Sequence, residues 1–198
     1  MSTPYLFFEI HLDSGEVDRF EANSPEQAKT LGDQLAPSKV FSTPTLILVE
    51  NDCLTTYQTK SIVRIDVSGK HVPNWPYLGN AVSVRQVTDE NFLILAGSEQ
   101  LTRDREQAAR EPGTRQEGFT ELVLSNDERI IWQVNVSSKL MVAADSLTAS
   151  KSLLSAGGLH GESITGAIMI LNVAHIVRLS FYPGPPDKHP RLAFVTRV

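Results

Sequence analysis

Two short stretches of the chain share one pattern of apolar and polar positions. "SIVRIDV" covers residues 61–67 and "HIVRLSF" covers residues 175–181. In both, apolar residues alternate with Arg, Asp or Ser, which is the two-residue period of a strand with one face on a core. We predict the same core strand at both places, with Val63 and Ile65 on the buried face and Arg64 on the outer face.

The segment before the first of these strands is predicted to form a hairpin and a helix. "YLFFEIHLD" alternates, and a Ser-Gly turn separates it from "EVDRFEA", as in two paired strands. A helix should follow, because Ser24 suits the N-cap, Pro25 the first turn and Gln27 the third position of a capping box. Pro37 should end this helix.

Further strands are expected in the rest of the first half. "TPTLILVEND" and "CLTTYQTKSIVRIDV" each have the apolar pattern of a strand. "NAVSVRQVTDENFLILAG" is interpreted as another hairpin, turning at Asp89, Glu90 and Asn91. The first half is therefore predicted to be mainly strand, with one short helix.

A change in composition divides the chain. Residues 98–118 contain almost no large apolar side chain, and their acidic and basic residues alternate. Such a segment is either a solvated helix or a linker. We therefore predict a first repeat unit at 1–97, a charged linker or helix at 98–118, and a second repeat unit at 119–198.

The second unit repeats the pattern of the first. "FTELVLSNDERIIWQVNV" matches "FFEIHLDSGEVDRFEAN" at an offset of about 112 residues, and "AIMILNVAHIVRLSF" matches "CLTTYQTKSIVRIDV" at about 114. "SSKLMVAADSLTASKSLLS" lies in the place of the helix. We predict an internal duplication, although any two blocks of strands and a helix share some likeness.

The expected fold class is α+β, mainly β. Each ββαββ-type unit should form a small antiparallel sheet or a partly open barrel with one helix. Small Sm-like or SH3-like barrels are the alternative. The two units should pack together as an intramolecular pseudo-dimer, which presents in one chain what a symmetric homodimer presents in two.

Composition and charge narrow the class of protein. The chain has 198 residues and a net charge of -5, whereas surfaces that bind nucleic acid are usually basic. Cys53 is the single cysteine, so no disulfide within the chain is expected, and its acidic or neutral neighbours predict an inert thiol. Without a signal peptide or a long apolar run, we expect a soluble, cytoplasmic protein that does not bind membranes.

Motifs for catalysis and metal binding are missing from the sequence. It contains no G-x-S-x-G, G-x-x-x-x-G-K-[ST] or G-x-G-x-x-G motif, and neither H-E-x-x-H nor C-x-x-C. We therefore predict no catalytic residue, no metal and no cofactor, and an enzyme is the less favoured class.

Four charged or titratable side chains are candidates for binding a ligand. Arg64 and Arg178 occupy matching places in the repeated strand, and His71 and His189 follow it in matching Lys-His pairs. The arginines either form ion pairs with neighbouring carboxylates or together bind an anion. The histidines lie in proline-rich loops, where solvated side chains are the alternative.

Two aromatic residues are candidates for binding a partner. Trp75 and Tyr77 lie in "VPNWPYLGN", and both residue types often anchor protein interfaces. The alternative is a loop that covers the core.

One stretch resembles a known family. "ILNVAHIVRLSF" is similar to the second conserved motif of Sm-like proteins, in which a strand, a glycine turn and "hxxI" close a small barrel. This chain has Asn172 where that motif has glycine. Its helix is predicted inside the unit, whereas Sm proteins have theirs before the strands. The resemblance covers about a dozen residues and implies RNA binding.

Three functions follow from these observations. The first is a non-catalytic binding, scaffold or regulatory protein, which binds another protein or a second copy of itself through exposed strand edges. The second is an Sm-like RNA-binding protein, although nucleic acid is the less favoured partner. The third is an enzyme or small-ligand protein with its site between the two halves.

Overall fold

The fold is taken from a computed structural model of the chain. It describes residues 4–50, 53–78, 81–96, 98, 103, 115–137 and 151–182. The predicted α+β, mainly β class is confirmed in this part of the chain. Most of the predicted linker 98–118 lies outside the described residues. No helix in the described part has the length and apolar character needed to cross a membrane.

The described residues contain eleven strands, two helices of eight or more residues and two 3-10 turns. The strands are β1 Leu6–Leu12, β2 Val17–Ala22, β3 Thr45–Glu50, β4 Cys53–Gln58, β5 Ile62–Ser68, β6 Ala81–Gln86, β7 Arg115–Leu124, β8 Arg129–Ser137, β9 Gly158–Glu162, β10 Ile168–Asn172 and β11 Ile176–Tyr182. The helices are α1 Pro25–Gln34 and α2 Asp89–Ala96, and the 3-10 turns are Thr59–Ser61 and Val173–His175. Residues 151–154 are also helical.

Strands from both halves form one mixed sheet. Its order is β11-β7-β8-β6-β9-β10-β5-β1-β2, and β3 and β4 pair separately as a two-stranded sheet. Neighbours in the large sheet are antiparallel, except for the parallel contact between β6 and β9. The expected pair of separate small sheets is therefore replaced by one nine-stranded sheet that joins the halves.

Strands in the two halves pair in the same way. β1 pairs with β2 and β5 in the first half, and β7 pairs with β8 and β11 in the second. β4 leads through the first 3-10 turn into β5, and β10 leads through the second into β11. Each predicted long strand, "CLTTYQTKSIVRIDV" and "AIMILNVAHIVRLSF", is thus two strands separated by a turn, which corrects the sequence interpretation.

Two main hydrophobic cores lie on the sheet. The first core packs β1, β5 and α1 together with the β3–β4 hairpin, and its fully or almost fully buried members include Leu6, Phe8, Ile10, Ala28, Leu35, Leu48, Ile62, Ile65, Val67 and Ile170. The second core packs strands of the second half, and its buried members include Val63, Val84, Leu122, Leu124, Ile130, Trp132, Leu159, Met169 and Leu171. Each core takes side chains from both halves.

Val63 lies on the opposite side from the one that the alternation predicts. The register of β5 against β1 passes from Ile62 directly to Arg64, so Val63 is the extra residue of a β-bulge. Its side chain is fully buried in the second core, whereas Ile65 packs in the first. Val177 is the corresponding bulge residue in β11.

Helices α1 and α2 differ in how well the sequence predicts them. α1 begins as expected, with the Ser24 hydroxyl accepting from the Gln27 amide and the Gln27 side chain accepting from the Asn23 amide. α2 replaces the predicted hairpin turn at Asp89, Glu90 and Asn91. The Thr88 hydroxyl accepts from the Asn91 amide, so these polar residues form a capped first helical turn rather than a β-turn.

Candidate functional site

Arg64 is the centre of a polar cluster on the outer face of β5 and β1. Its Nε lies 3.2 Å from Asp66 Oδ2, and its Nη2 lies 3.3 Å from His11 Nε2. Its Nη1 also pairs with Glu128 in the β7–β8 turn of the other half. The guanidinium is mostly buried and is neutralised by carboxylates of both halves.

Arg178 belongs to a second polar cluster, centred on Glu121 of β7. The Glu121 carboxylate accepts from Arg129 Nε at 2.7 Å, Arg178 Nη2 at 3.1 Å and the Tyr182 hydroxyl at 3.2 Å. Its side chain is only 8% exposed. The hydrogen bond from Arg129 is the largest cause that lowers the pKa of Glu121. Burial is the largest cause that raises the pKa of Tyr182.

The two candidate arginines are not brought together into one site. Arg64 binds Asp66 and Glu128, whereas Arg178 binds Glu121, and five strands separate their strands in the order of the sheet. Each guanidinium already has a carboxylate partner, which is the ion-pair alternative of the sequence interpretation. A ligand anion at either place has to compete with a carboxylate of the protein.

One group of side chains has the spacing of a metal site. Ligand atoms of Glu9, His11 and Asp66 all lie within 4.8 Å of one another, on neighbouring strands β1 and β5. His11 Nε2 is 3.0 Å from Asp66 Oδ2, and Arg64 contacts both residues. The guanidinium already supplies a positive charge here, so a cation has to displace it or bear its repulsion.

The candidate histidines are divided between the described and undescribed residues. His71 is exposed, and its ring stacks on Tyr5 with centroids 5.2 Å apart. His189 lies outside the described residues. A shared site formed by the two histidines is therefore not tested by the structure.

Trp75 and Tyr77 lie where the two cores meet. Trp75 packs on the first core and Tyr77 on the second, and both are half-buried. Between them, His160 stacks on Tyr77 at 4.8 Å, and its Nε2–H donates to the Trp75 carbonyl at 3.2 Å. Burial lowers the pKa of His160 and favours the neutral ring. This packing matches the alternative of a loop that covers the core.

Sequence reasoning missed a hydrogen bond between a serine and a histidine. Ser125 Oγ lies 2.7 Å from His175 Nδ1, and His175 Nε2 lies 2.8 Å from the Lys60 carbonyl. This is the spacing of a nucleophile and a base, but the pair lies at an exposed turn. His175 thereby connects the β7–β8 turn to the first 3-10 turn, and its geometry is that of a structural bridge.

A shallow depression lies where strands of the two halves meet in parallel. It runs between β6 and β9 and is lined by Arg85, Gln86, Val87, Thr88, Asn91, Glu162, Ser163 and Ile164. Arg85 Nε is 2.9 Å from Glu162 Oε2, so the charged residues of the depression neutralise each other. None of the candidate arginines and histidines lines it.

Two strand edges carry exposed apolar side chains. In the described part of the chain β4 pairs only with β3, and β11 pairs only with β7. Leu54 on β4 is 64% exposed and Val177 on β11 is 65% exposed. The sequence contains one signal for these edges, since at an offset of 114 residues Leu54 aligns with Ile168 and Val177 aligns with Val63, which the structure partly or fully buries.

Comparisons with protein families, with curated proteins and with solved structures find no match for this chain.

Proposed function

We propose that this protein is a non-catalytic binding or scaffold protein that binds its partner by strand addition at β4 and β11. The observation that carries the proposal is the exposure of Leu54 and Val177 at these two edges. An exposed edge offers unpaired backbone groups and apolar side chains to another strand.

The state of the polar clusters supports a non-catalytic role. The carboxylates around Arg64 and Arg178 are engaged in ion pairs, and no nucleophile in the described residues combines with a base inside a cleft. A catalytic group usually lies in a concave pocket, where water can be excluded around the reacting atoms.

The proposal includes the duplication and the intramolecular pseudo-dimer. Its support is the equal order of hairpin, 3-10 turn and closing strand in the two halves, together with their equal pairing. The bulges at Val63 and Val177 fall at matching positions. Such a molecule contains the pairing of β5 with β10 inside it, and carries the corresponding strands β11 and β4 at its exposed edges.

The proposal is tested by comparing four versions of the full chain as baits in an extract of the source cells. They are the wild type, Leu54→Asp, the double variant Leu54→Asp/Val177→Asp and the control Ile164→Asp, whose target side chain is 63% exposed but lies between β9 and β10. We expect at least one protein to be retained by the wild type and Ile164→Asp, and about tenfold less by the double variant, in which neither edge is intact. Equal retention by all four baits contradicts the proposal.

Sm-like RNA binding is the second candidate function. The 3-10 turn Val173–His175 favours it, because it separates β10 from β11 within the stretch that resembles the Sm motif. The neutralised arginines and the net charge of -5 weigh against it. A gel shift with single-stranded RNA at low and high salt tests it, because RNA binding by cationic side chains weakens as salt rises. The absence of a shift at low salt excludes this function.

A further inference from the structure

Strands β5 and β10 join the two halves of the chain by antiparallel pairing. Ile168 lies opposite Val67, and Ile170 lies opposite Ile65. Ile168 and Ile170 pack on the first core, whereas Val63 of β5 is fully buried in the second. At this junction, each half therefore inserts apolar side chains into the core of the other.

Polar contacts also connect the two halves at this junction. Arg64 of the first half pairs with Glu128 of the second. The Asn172 side-chain amide donates to the carbonyls of Thr59 at 3.0 Å and Ile62 at 2.9 Å. The junction thus combines strand pairing, exchanged apolar side chains, an ion pair and satisfied carbonyls.

Both strands of this junction have a counterpart in the opposite half. β4 holds in the first half the place that β10 holds in the second, and β11 holds the place of β5, as the 3-10 turns and pairings show. At an offset of 114 residues, Leu54 corresponds to Ile168 and Val177 to Val63. Within the described residues, the structure therefore contains one complete β10–β5 junction, and the two strands that correspond to it, β4 and β11, are not paired with each other.

The counterpart strands are exposed at the positions that the junction covers. Leu54 is 64% exposed, whereas its counterpart Ile168 is partly buried against the first core. Val177 is 65% exposed, whereas its counterpart Val63 is fully buried. Val49, which lies opposite Leu54 in the β3–β4 hairpin, is 74% exposed.

The residues that correspond to the Arg64–Glu128 ion pair of the junction also carry opposite charges. Arg178 is the counterpart of Arg64, and Glu16 in the β1–β2 turn is the counterpart of Glu128. The Arg178 side chain is 42% exposed, and Glu16 is exposed. A second junction of the same geometry places these two opposite charges together, as Arg64 and Glu128 are in the first.

We propose that copies of this chain join head to tail, with β4 of one copy added antiparallel to β11 of the next. The register of β10 on β5 predicts Leu54 opposite Phe181 and Thr56 opposite Leu179. Because two different edges meet, the interface is heterologous and repeats into a closed ring or a filament. This inference rests on the proposed function and specifies its partner as a second copy of the chain.

The test measures the mass of the full chain in solution by light scattering. At about 100 µM, the wild type and Ile164→Asp should have a mass that is a multiple of the 21.8 kDa protomer. Leu54→Asp and Val177→Asp each place a charge in the proposed interface and should remain at 21.8 kDa. Thermal unfolding confirms that each variant is folded, and Leu54→Lys and Val177→Lys replace any variant that is not.

A mixture of the two edge variants tests the head-to-tail arrangement. The Val177→Asp copy keeps an intact β4 edge, and the Leu54→Asp copy keeps an intact β11 edge. Their equimolar mixture should form a dimer of twice 21.8 kDa and nothing larger, because each pair has only one intact junction. Contact between two identical edges cannot give this result.

Three outcomes overturn the inference: a monomeric wild type at about 100 µM, edge variants that assemble like the wild type, or a mixture that stays monomeric. The bait comparison separates these failures from failure of the proposed function. Retention of a different protein through β4 or β11 leaves the binding function standing, whereas equal retention by all baits removes it.

Discussion

Glu121 is a buried carboxylate that accepts hydrogen bonds from three side chains. Arg129, Arg178 and Tyr182 all donate to it, and the hydrogen bond from Arg129 is the main reason that its pKa lies below the usual range. Glu9 is the matching residue of β1, but its partner Arg19 is largely exposed. Substitutions at Glu121 and Glu9 therefore allow a buried carboxylate in an ion pair to be compared with a more exposed one.

Replacing Glu121 by Gln should lower the free energy of unfolding at neutral pH by about 1–2 kcal/mol, because it removes the charge that binds two arginines. The lowered pKa means that this contribution is present above the pKa of the unfolded chain and is lost as pH falls through the folded-state pKa. Chemical denaturation at neutral and acidic pH measures both effects. Glu9→Gln is the control and should change the free energy by less than about 0.5 kcal/mol. Equal effects of the two substitutions contradict this prediction.

His160 is a buried histidine whose protonation should oppose folding. Burial lowers its pKa, so the unfolded chain takes up a proton below about pH 6.5 before the folded protein does. Stability is then complete above the unfolded pKa and is lost as pH falls toward the folded-state pKa, by at most about 1.4 kcal/mol per pH unit.

The variant His160→Gln should flatten this dependence, because an amide can still donate to the Trp75 carbonyl but does not titrate. The free energy of unfolding, measured from about pH 7.5 to pH 5.5, checks the difference. The other histidines remain in both proteins, so they contribute to both curves. Parallel curves contradict a role for His160.

At the scale of the elements, the two 3-10 turns lie at a polar connection between the halves. Asn172 is 4% exposed, donates to the carbonyls of Thr59 in the first turn and Ile62 at the start of β5, and accepts from the Ala174 amide of the second turn. Gln58 is its counterpart before the first turn and is exposed. In the described part of the chain, the side chain at 172 thus connects the two halves, whereas the one 114 residues earlier faces solvent.

Replacing Asn172 by Ala should cost about 2–4 kcal/mol, because it leaves buried backbone groups without partners. Gln58→Ala is the matched control. At a protein concentration low enough to keep the chain monomeric, it should change the free energy by less than about 0.5 kcal/mol. Urea denaturation measures both variants. A small effect of Asn172→Ala, comparable to that of Gln58→Ala, contradicts the proposed connection.

The two helices show how far local signals predict an element. α1 is confirmed because Ser24, Pro25 and Gln27 form a capping arrangement that needs no distant partner. α2 was wrongly predicted as a hairpin because Asp89 and Glu90 suit both a turn and a first helical turn. The Thr88 cap and the burial of Phe92 against Phe119 of β7 favour the helix.

At the scale of the whole molecule, the head-to-tail proposal makes thermal stability depend on concentration. Assembly stabilises the folded chain by mass action, so the Tm of the wild type should rise as protein concentration rises. Val177→Asp should have a Tm that is independent of concentration, and Ile164→Asp should follow the wild type. Calorimetry over about a hundredfold range of concentration measures the difference. A wild-type Tm that does not change with concentration contradicts the prediction.

The sequence by itself determined several local elements and predicted a correspondence between the two halves. The two-residue period identified β1 and the repeated strands, the Ser-Gly turn indicated β2, the capping residues identified α1, and the offset of about 112 to 114 residues aligned Arg64 with Arg178. These signals depend only on neighbouring residues and on the comparison of one stretch with another.

Only the tertiary structure decided which strands distant in the sequence meet. The pairing of β5 with β10 and of β6 with β8, the position of Val63 in the second core and the partners of both arginines join residues far apart in sequence. The reason is that an alternating strand specifies which face is apolar but not which edge it pairs with, and that choice follows from the burial of both faces at once. For the same reason, only the structure distinguished the covered Val63 from the exposed Val177.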